Sequence, residues 1–115
     1  MTQVPAKHLA FEPAEYAARQ SRAQEAMAAL GQDALVLFAQ ESMFYLTGYD
    51  TTGYSKFQAM VLPQEGAPVL LTRSADLLQA EITSLVDDIR IWVDREGAKP
   101  AADLVALLRD LVDKI

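Results

Sequence analysis

Tyr45-Leu46-Thr47-Gly48-Tyr49-Asp50-Thr51-Thr52-Gly53-Tyr54-Ser55-Lys56-Phe57 is the stretch on which the reading of this chain turns. It places three tyrosines, two glycines, a cluster of hydroxyls and one lysine between two apolar runs. Glycines open backbone angles that other residues avoid. Tyrosines offer a large contact area with a polar tip. A segment of this composition is suited to touch something, and the sequence on either side reads as scaffold.

Upstream, Ala34-Leu35-Val36-Leu37-Phe38-Ala39 is a continuous apolar run whose length and flanks predict a buried strand. Before it, Pro13 suits a first helical turn, Ala14 to Leu30 carries strong helix formers, and Gly31 is a natural stop. Ser42 to Leu46 predicts a short helical turn closed by Gly48. Downstream, Phe57 to Leu62 reads as a strand ended by Pro63. Gln64-Glu65-Gly66-Ala67 reads as a turn, which makes Pro68 to Thr72 the antiparallel hairpin partner. Ser74 is placed to cap a helix from Ala75 to about Thr83. Asp88 to Val93 alternates polar and apolar residues, as a strand with one covered face does. Asp94 to Lys99 reads as a linker. Pro100 opens a last helix on which Leu104, Leu107, Leu108, Leu111, Val112 and Ile115 recur at helical spacing. The order predicts an α/β domain with a mixed sheet: an antiparallel hairpin, and parallel pairing of the strands linked by helices.

Composition narrows the function classes. A chain of 115 residues is one domain by length, with enough surface to bury a core. Its formal net charge of -6, with scattered basic residues, disfavours nucleic acid and anionic membrane as partners. No apolar run approaches the ~20 residues that span a bilayer. Met1 to Ala10 lacks the apolar stretch of a secretory signal. The absence of cysteine excludes disulfides and fits a reducing compartment, so the expected location is cytoplasmic.

Catalytic constellations are not legible. His8 is the single histidine, so a nucleophilic serine or threonine has no ordinary base beyond it. A metal site would be all-carboxylate, and in Asp87-Asp88 neighbours along a strand point to opposite faces. The turn after the first strand, Gln40-Glu41-Ser42, has no glycine to cradle a phosphate. The loop offers more. Tyr49, Tyr54 and Lys56 can form an aromatic-sided pocket with one cation, and a lysine suits a carboxylate or phosphate. The plainer alternative makes Tyr45 and Tyr49 core aromatics, leaves Lys56 solvated, and has Asp50 cap the turn. Trp92 reads as sheet packing and Arg73 as a surface residue.

Tyr45-Leu46-Thr47-Gly48-Tyr49 resembles the signature of the creatinase/prolidase N-terminal domain, a tyrosine, leucine, threonine or serine, glycine and aromatic in order. That domain precedes the pita-bread metallopeptidase domain in Xaa-Pro dipeptidases, aminopeptidase P and creatinase. Gly31-Gln32-Asp33-Ala34-Leu35-Val36 is similar to the family's entry to its first strand. Pro68 to Arg73 resembles its hairpin, and Asp88 to Trp92 its later strand. One departure is Ser42, where many members carry asparagine.

The resemblance runs from about Phe11 to Ile115. It implies a three-layer α/β/α sandwich with a mixed sheet, of ribonuclease-H-like type. The expected organisation is a flexible segment over residues 1–12 and the domain over 13–115, with no catalytic domain in the chain. The implied parent is a dinuclear metal-dependent Xaa-Pro peptidase-like hydrolase using Mn, Co or Zn, its ligands in the C-terminal catalytic domain. This domain would assist homodimerisation and contribute to substrate binding at a neighbouring active site. In creatinase-like members an aromatic and a basic residue after the signature hold the substrate carboxylate, and these positions correspond to Tyr54 and Lys56. With Tyr49 and Asp50 they form the expected substrate-binding set. Two alternatives stay open: a creatinase-like or ectoine-type hydrolase, and a stand-alone protein-interaction module.

Overall fold

Pro13 begins the first helix, α1 (Pro13–Ala29), where a missing N–H costs nothing. The computed structural model describes residues 7–51, 53 and 56–113. After α1 come β1 (Ala34–Leu37), α2 (Gln40–Thr47), β2 (Ala59–Pro63) and β3 (Val69–Arg73). A 3-10 turn at Ser74–Asp76 leads into α3 (Leu77–Thr83), β4 (Asp88–Trp92) and α4 (Pro100–Val112). Ser74 does not cap a helix from Ala75 with its side chain; the tighter turn forms first and α3 starts at Leu77. Lys7 and His8 lie against α3: the His8 N–H donates to the Ile82 carbonyl at 2.7 Å and Lys7 Nζ to the Glu81 carbonyl at 3.0 Å.

The sheet order is β1-β2-β3-β4. The hairpin is antiparallel, with Met60 opposite Leu70, and β3 pairs parallel to β4, with Leu70 opposite Ile89. The helix-linked β1 and β2 depart from expectation, because they run antiparallel, with Leu37 opposite Met60. The connection of α2 and the tyrosine-rich loop returns the chain to the sheet end it left, so β2 starts beside the end of β1. The apolar run at Ala34 is also less enclosed than its composition suggests. As the edge strand, β1 has an exposed first residue and three half-buried ones, and Phe38 lies beyond it, exposed.

Strand alternation divides the core between two faces. Ala59, Val61, Val69, Leu71 and Trp92 face α4, meeting Leu104 and Leu107. Met60 and Leu70 face the other way, onto Met43 of α2 and Ala80 of α3. Leu62 on that second face meets Met27 of α1 and Leu46 of α2. The sheet therefore has helices on both sides, the three-layer α/β/α arrangement. Each fully buried Leu, Met or Val in these clusters is worth about 1.5–3 kcal/mol. Among the described residues no helix is long and apolar enough to cross a membrane.

Candidate functional site

The loop between α2 and β2 lies at the sheet end where β1, β3 and β4 finish. Gly48 starts it. Gly48 terminates α2 in the left-handed region at φ 85°, and its N–H donates to the Phe44 carbonyl. A side chain there would meet the Thr83 carbonyl oxygen at 2.8 Å and the Tyr16 hydroxyl at 3.1 Å. Both the angle and the space therefore call for glycine.

Tyr49 points into the core and is fully buried. Its hydroxyl donates to Gln58 Oε1 at 3.0 Å and shares a 2.9 Å bond with Thr72 Oγ1. Gln58 Nε2 donates to Gln40 Oε1, and Gln40 Nε2 donates back to the Tyr49 carbonyl, both at 2.8 Å. This closed ring joins the start of α2, the loop, the approach to β2 and the end of β3. Burial pushes the Tyr49 phenol above its ordinary pKa, against the opposite pull of the Thr72 hydrogen bond. The ring of Tyr49 thus anchors the loop instead of facing outward with Lys56. Asp50 is exposed, and its N–H donates to Thr83 Oγ1 at 2.9 Å.

Tyr45 has the opposite fate from that expected of a core aromatic. Met43, Leu46 and Thr47 take the inward face of α2, which turns Tyr45 outward at 48% exposure. The guanidinium of Arg19 stacks 4.4 Å from its ring centroid and donates to its backbone carbonyl.

The second half of the loop is held by charge. Thr51 Oγ1 donates to Asp76 Oδ1 at 3.2 Å, and Arg73 Nε donates to Asp76 Oδ2 at 3.2 Å. Gly53 lies against the same carboxylate: a Cβ there would stand 2.5 Å from Oδ2. Farther out, Asp94 Oδ2 lies 3.8 Å from Arg73 Nη1 and 4.0 Å from Lys56 Nζ. Trp92 Nε1 donates to the Phe57 carbonyl at 3.0 Å, fastening the end of the loop to β4. Tyr54, the aromatic partner expected for Lys56, lies outside the described residues. The structure gathers Lys56, Arg73, Asp76 and Asp94 from three separate segments. Of these, the sequence assigns a binding role to Lys56 alone and reads Arg73 as a surface residue. The spacing of three between Arg73 and Asp76 was the one legible hint of a pair.

At the opposite end of the sheet a cavity of about 300 Å³ lies between the β2–β3 turn and α4, lined in part by Val61, Val69, Leu108 and Leu111. No cation lines it. Among the described residues no three His, Asp or Glu side chains come together as a metal site. The metal centre implied by the resemblance has its ligands in a C-terminal catalytic domain, not in these residues.

Residues 19–115 match the family model of the creatinase/prolidase N-terminal domain. This chain belongs to that family. Ectoine hydrolase of Halomonas elongata is 37% identical over 79 residues, covering 69% of this chain and 20% of that protein. An uncharacterized hydrolase/peptidase, y4tM, of Sinorhizobium fredii is 34% identical over 84 residues, covering 72% of this chain and 21% of that protein. The chain thus spans about a fifth of the length of these curated relatives. Among solved structures, dipeptidase PepE of Mycobacterium ulcerans superposes with a TM-score of 0.70 at 30% identity, over 84% of this chain and 26% of that one. The creatinase/prolidase N-terminal domain of an Xaa-Pro dipeptidase of Streptococcus pyogenes superposes with a TM-score of 0.62 at 18% identity, over 77% of this chain and 66% of that one. This last likeness concerns the fold.

Proposed function

We propose that this chain is the non-catalytic N-terminal domain of a longer, metal-dependent Xaa-Pro peptidase-like hydrolase. In that role it assists homodimerisation and lends its loop to substrate binding at a neighbouring active site. The observation that carries the reading is the loop end itself. The half-exposed Lys56 ammonium shares the Asp94 carboxylate with Arg73, at one end of the sheet. Cations so placed recognise a carboxylate but perform no bond-breaking chemistry alone. Bond cleavage, with its Mn, Co or Zn ions, belongs in this reading to a C-terminal catalytic domain. Asp50 and Tyr54 would flank the ligand, and Tyr49 would act through the loop it anchors.

The test is kinetic. In the longer enzyme, Lys56→Ala should lower kcat/KM for substrates with a free carboxylate by about 10–100-fold, the loss of one charge-assisted contact of roughly 1.5–3 kcal/mol. Unchanged kinetics would return Lys56 to a solvated role. The 115-residue chain alone, supplied with Mn, Co or Zn, should hydrolyse no proline dipeptide. A second reading, an ectoine-type hydrolase, is favoured by the 37% identity to ectoine hydrolase. Turnover of proline dipeptides against cyclic amidines by the longer enzyme separates the two.

A further inference from the structure

We propose that Lys56 and Arg73 together form a two-cation carboxylate site, that the Asp94 side chain fills this site from within the chain, and that an incoming carboxylate displaces it. The proposal takes its ligand class from the loop's reading as a substrate-binding element, and it adds Arg73 as a recognition residue and Asp94 as an internal competitor.

The geometry makes the case in three steps. First, one oxygen serves both cations, since Asp94 Oδ2 lies 3.8 Å from Arg73 Nη1 and 4.0 Å from Lys56 Nζ. Two positive groups converging on a carboxylate oxygen mark a position that a foreign carboxylate oxygen can take. Second, the two acids are held very differently. Asp76 is buried, with its carboxylate bonded to Arg73 Nε and to the Thr51 hydroxyl, each at 3.2 Å. Asp94 has a side chain 50% exposed, in the segment after β4, at separations longer than the 2.7–2.9 Å typical of a charge-assisted hydrogen bond. Exposed pairs of that kind contribute little to stability. Asp94 can therefore leave at small cost, whereas Asp76 stays.

Third, Asp76 leaves Arg73 only half used. The guanidinium is a planar fork of five donors. Asp76 fixes it through Nε and so aims the Nη1 side at the Asp94 position, an orientation already set before any ligand arrives. Lys56 and Arg73 face Asp76 and Asp94. A ligand carboxylate in the Asp94 place keeps both cations compensated while the Asp94 side chain turns to solvent. A neutral amide or ester in the same place would leave a cation uncompensated. The ligand class is accordingly a small molecule or peptide end bearing a free carboxylate.

The experiment uses the 115-residue chain and sodium acetate, followed by two-dimensional 15N NMR, with methyl acetate plus sodium chloride at matched ionic strength as the control. Saturable shifts are expected at the amides of Lys56, Arg73 and Asp94 and at Arg73 Nε. Asp94→Asn should tighten acetate binding about 3- to 10-fold, because the internal competitor for two exposed ion pairs is gone. Lys56→Gln and Arg73→Gln should each weaken it several-fold. Should Arg73→Gln unfold, with Asp76 left unpaired, Arg73→Lys keeps the charge without the fork and should still weaken binding. Absence of saturable shifts at these residues, or equal acetate affinity in Asp94→Asn and the unaltered chain, overturns the proposal. The loop's wider role is separable. If acetate fails here while Lys56→Ala still impairs the longer enzyme, the two-cation site falls and the substrate-binding loop stands. If acetate binds as expected and Lys56→Ala leaves kinetics unchanged, the site stands and its link to catalysis falls.

Discussion

Replacing Gly48 with alanine should be among the most damaging single changes to this domain, by an amount the structure allows to be worked out. The residue sits at φ 85°, where an L side chain costs roughly 1–2 kcal/mol. The added methyl would also stand 2.8 Å from the Thr83 carbonyl oxygen, 3.1 Å from the Tyr16 hydroxyl and 3.2 Å from Tyr16 Cζ. Neither neighbour gives way easily. Just past Thr83, the Leu85 N–H donates to the Thr47 carbonyl, and the Thr83 hydroxyl receives the Asp50 N–H. Tyr16 is fully buried and packs edge-on against Phe11. Overpacking of this kind costs about 1–3 kcal/mol, so the total is about 2–5 kcal/mol. For a domain of this size each kcal/mol lowers Tm by about 4–8 °C, which puts the expected drop at about 8–40 °C. Gly31→Ala is the control. Gly31 also has a positive φ, 69°, but nothing lies within 4 Å of its missing Cβ. It should show the conformational cost alone. Thermal melts by circular dichroism, with urea titrations to check that the m-value is unchanged, measure both variants. If Gly48→Ala melts within about 2 °C of Gly31→Ala, the close approach of α2, α3 and Tyr16 is not what the glycine serves.

Three further outcomes follow from the packing and the hydrogen bonds. Tyr49→Phe removes the hydroxyl shared by Gln58 and Thr72 and should cost about 1–2 kcal/mol at neutral pH. Burial raises the Tyr49 pKa in the folded state above the unfolded value near 10, so the phenol's contribution is complete below about pH 10 and is lost as pH rises beyond it. Urea midpoints of the two proteins should therefore converge in that alkaline window, and a constant gap would contradict the burial argument. Gly53→Ala drives a methyl against Asp76 and should shift Thr51, whose hydroxyl receives the N–H of residue 53 at 3.0 Å, reducing hydrogen-exchange protection of that amide and lowering stability by about 1–3 kcal/mol. Leu107→Ala, in the cluster between the sheet and α4, should cost about 2–5 kcal/mol, while Val105→Ala, on the exposed face of the same helix, should stay within about 0.5 kcal/mol of the unaltered chain.

Much of this fold is written in local signals. Pro13 and Pro100 open their helices, Gly48 closes α2, and the Pro68 to Thr72 run pairs with β2 as a hairpin. The parallel pairing of β3 and β4 across α3 also follows from their order. Strand direction between β1 and β2 does not. Apolar periodicity fixes which face a residue takes, but not whether the chain between Leu37 and Ala59 crosses the sheet or returns to the end it left. The same limit applies to the site. Glycine and hydroxyl content marks the loop, yet the Tyr49–Gln58–Gln40 ring joins residues whose spacing carries no pattern. Asp94 reads as part of a linker, and only the meeting of β3, β4 and the loop at one sheet end brings it to Arg73 and Lys56. Tyr45 shows the converse: an aromatic in a family signature that lies outside the core and covers Arg19.

The loop divides by physical support, and the division bears on what it can do. From Gly48 to Tyr49 it is held by buried hydrogen bonds and a close helix approach, interactions that tolerate almost no displacement. At Thr51 and Gly53 the fixed point is one buried carboxylate, Asp76, which receives the Thr51 hydroxyl, lies against Gly53 and holds Arg73 by Nε. Asp76 therefore links the shape of the loop to the orientation of the Arg73 cation. A change there would disturb fold and recognition together, because it leaves a guanidinium unpaired and a loop unsupported. Asp94 has no such double duty. Its carboxylate lies 3.8 and 4.0 Å from the two cations, separations that add little to folding. The domain thus separates the acid that builds the site from the acid that fills it. If the proposed two-cation site holds, that separation would make its recognition adjustable without loss of the scaffold.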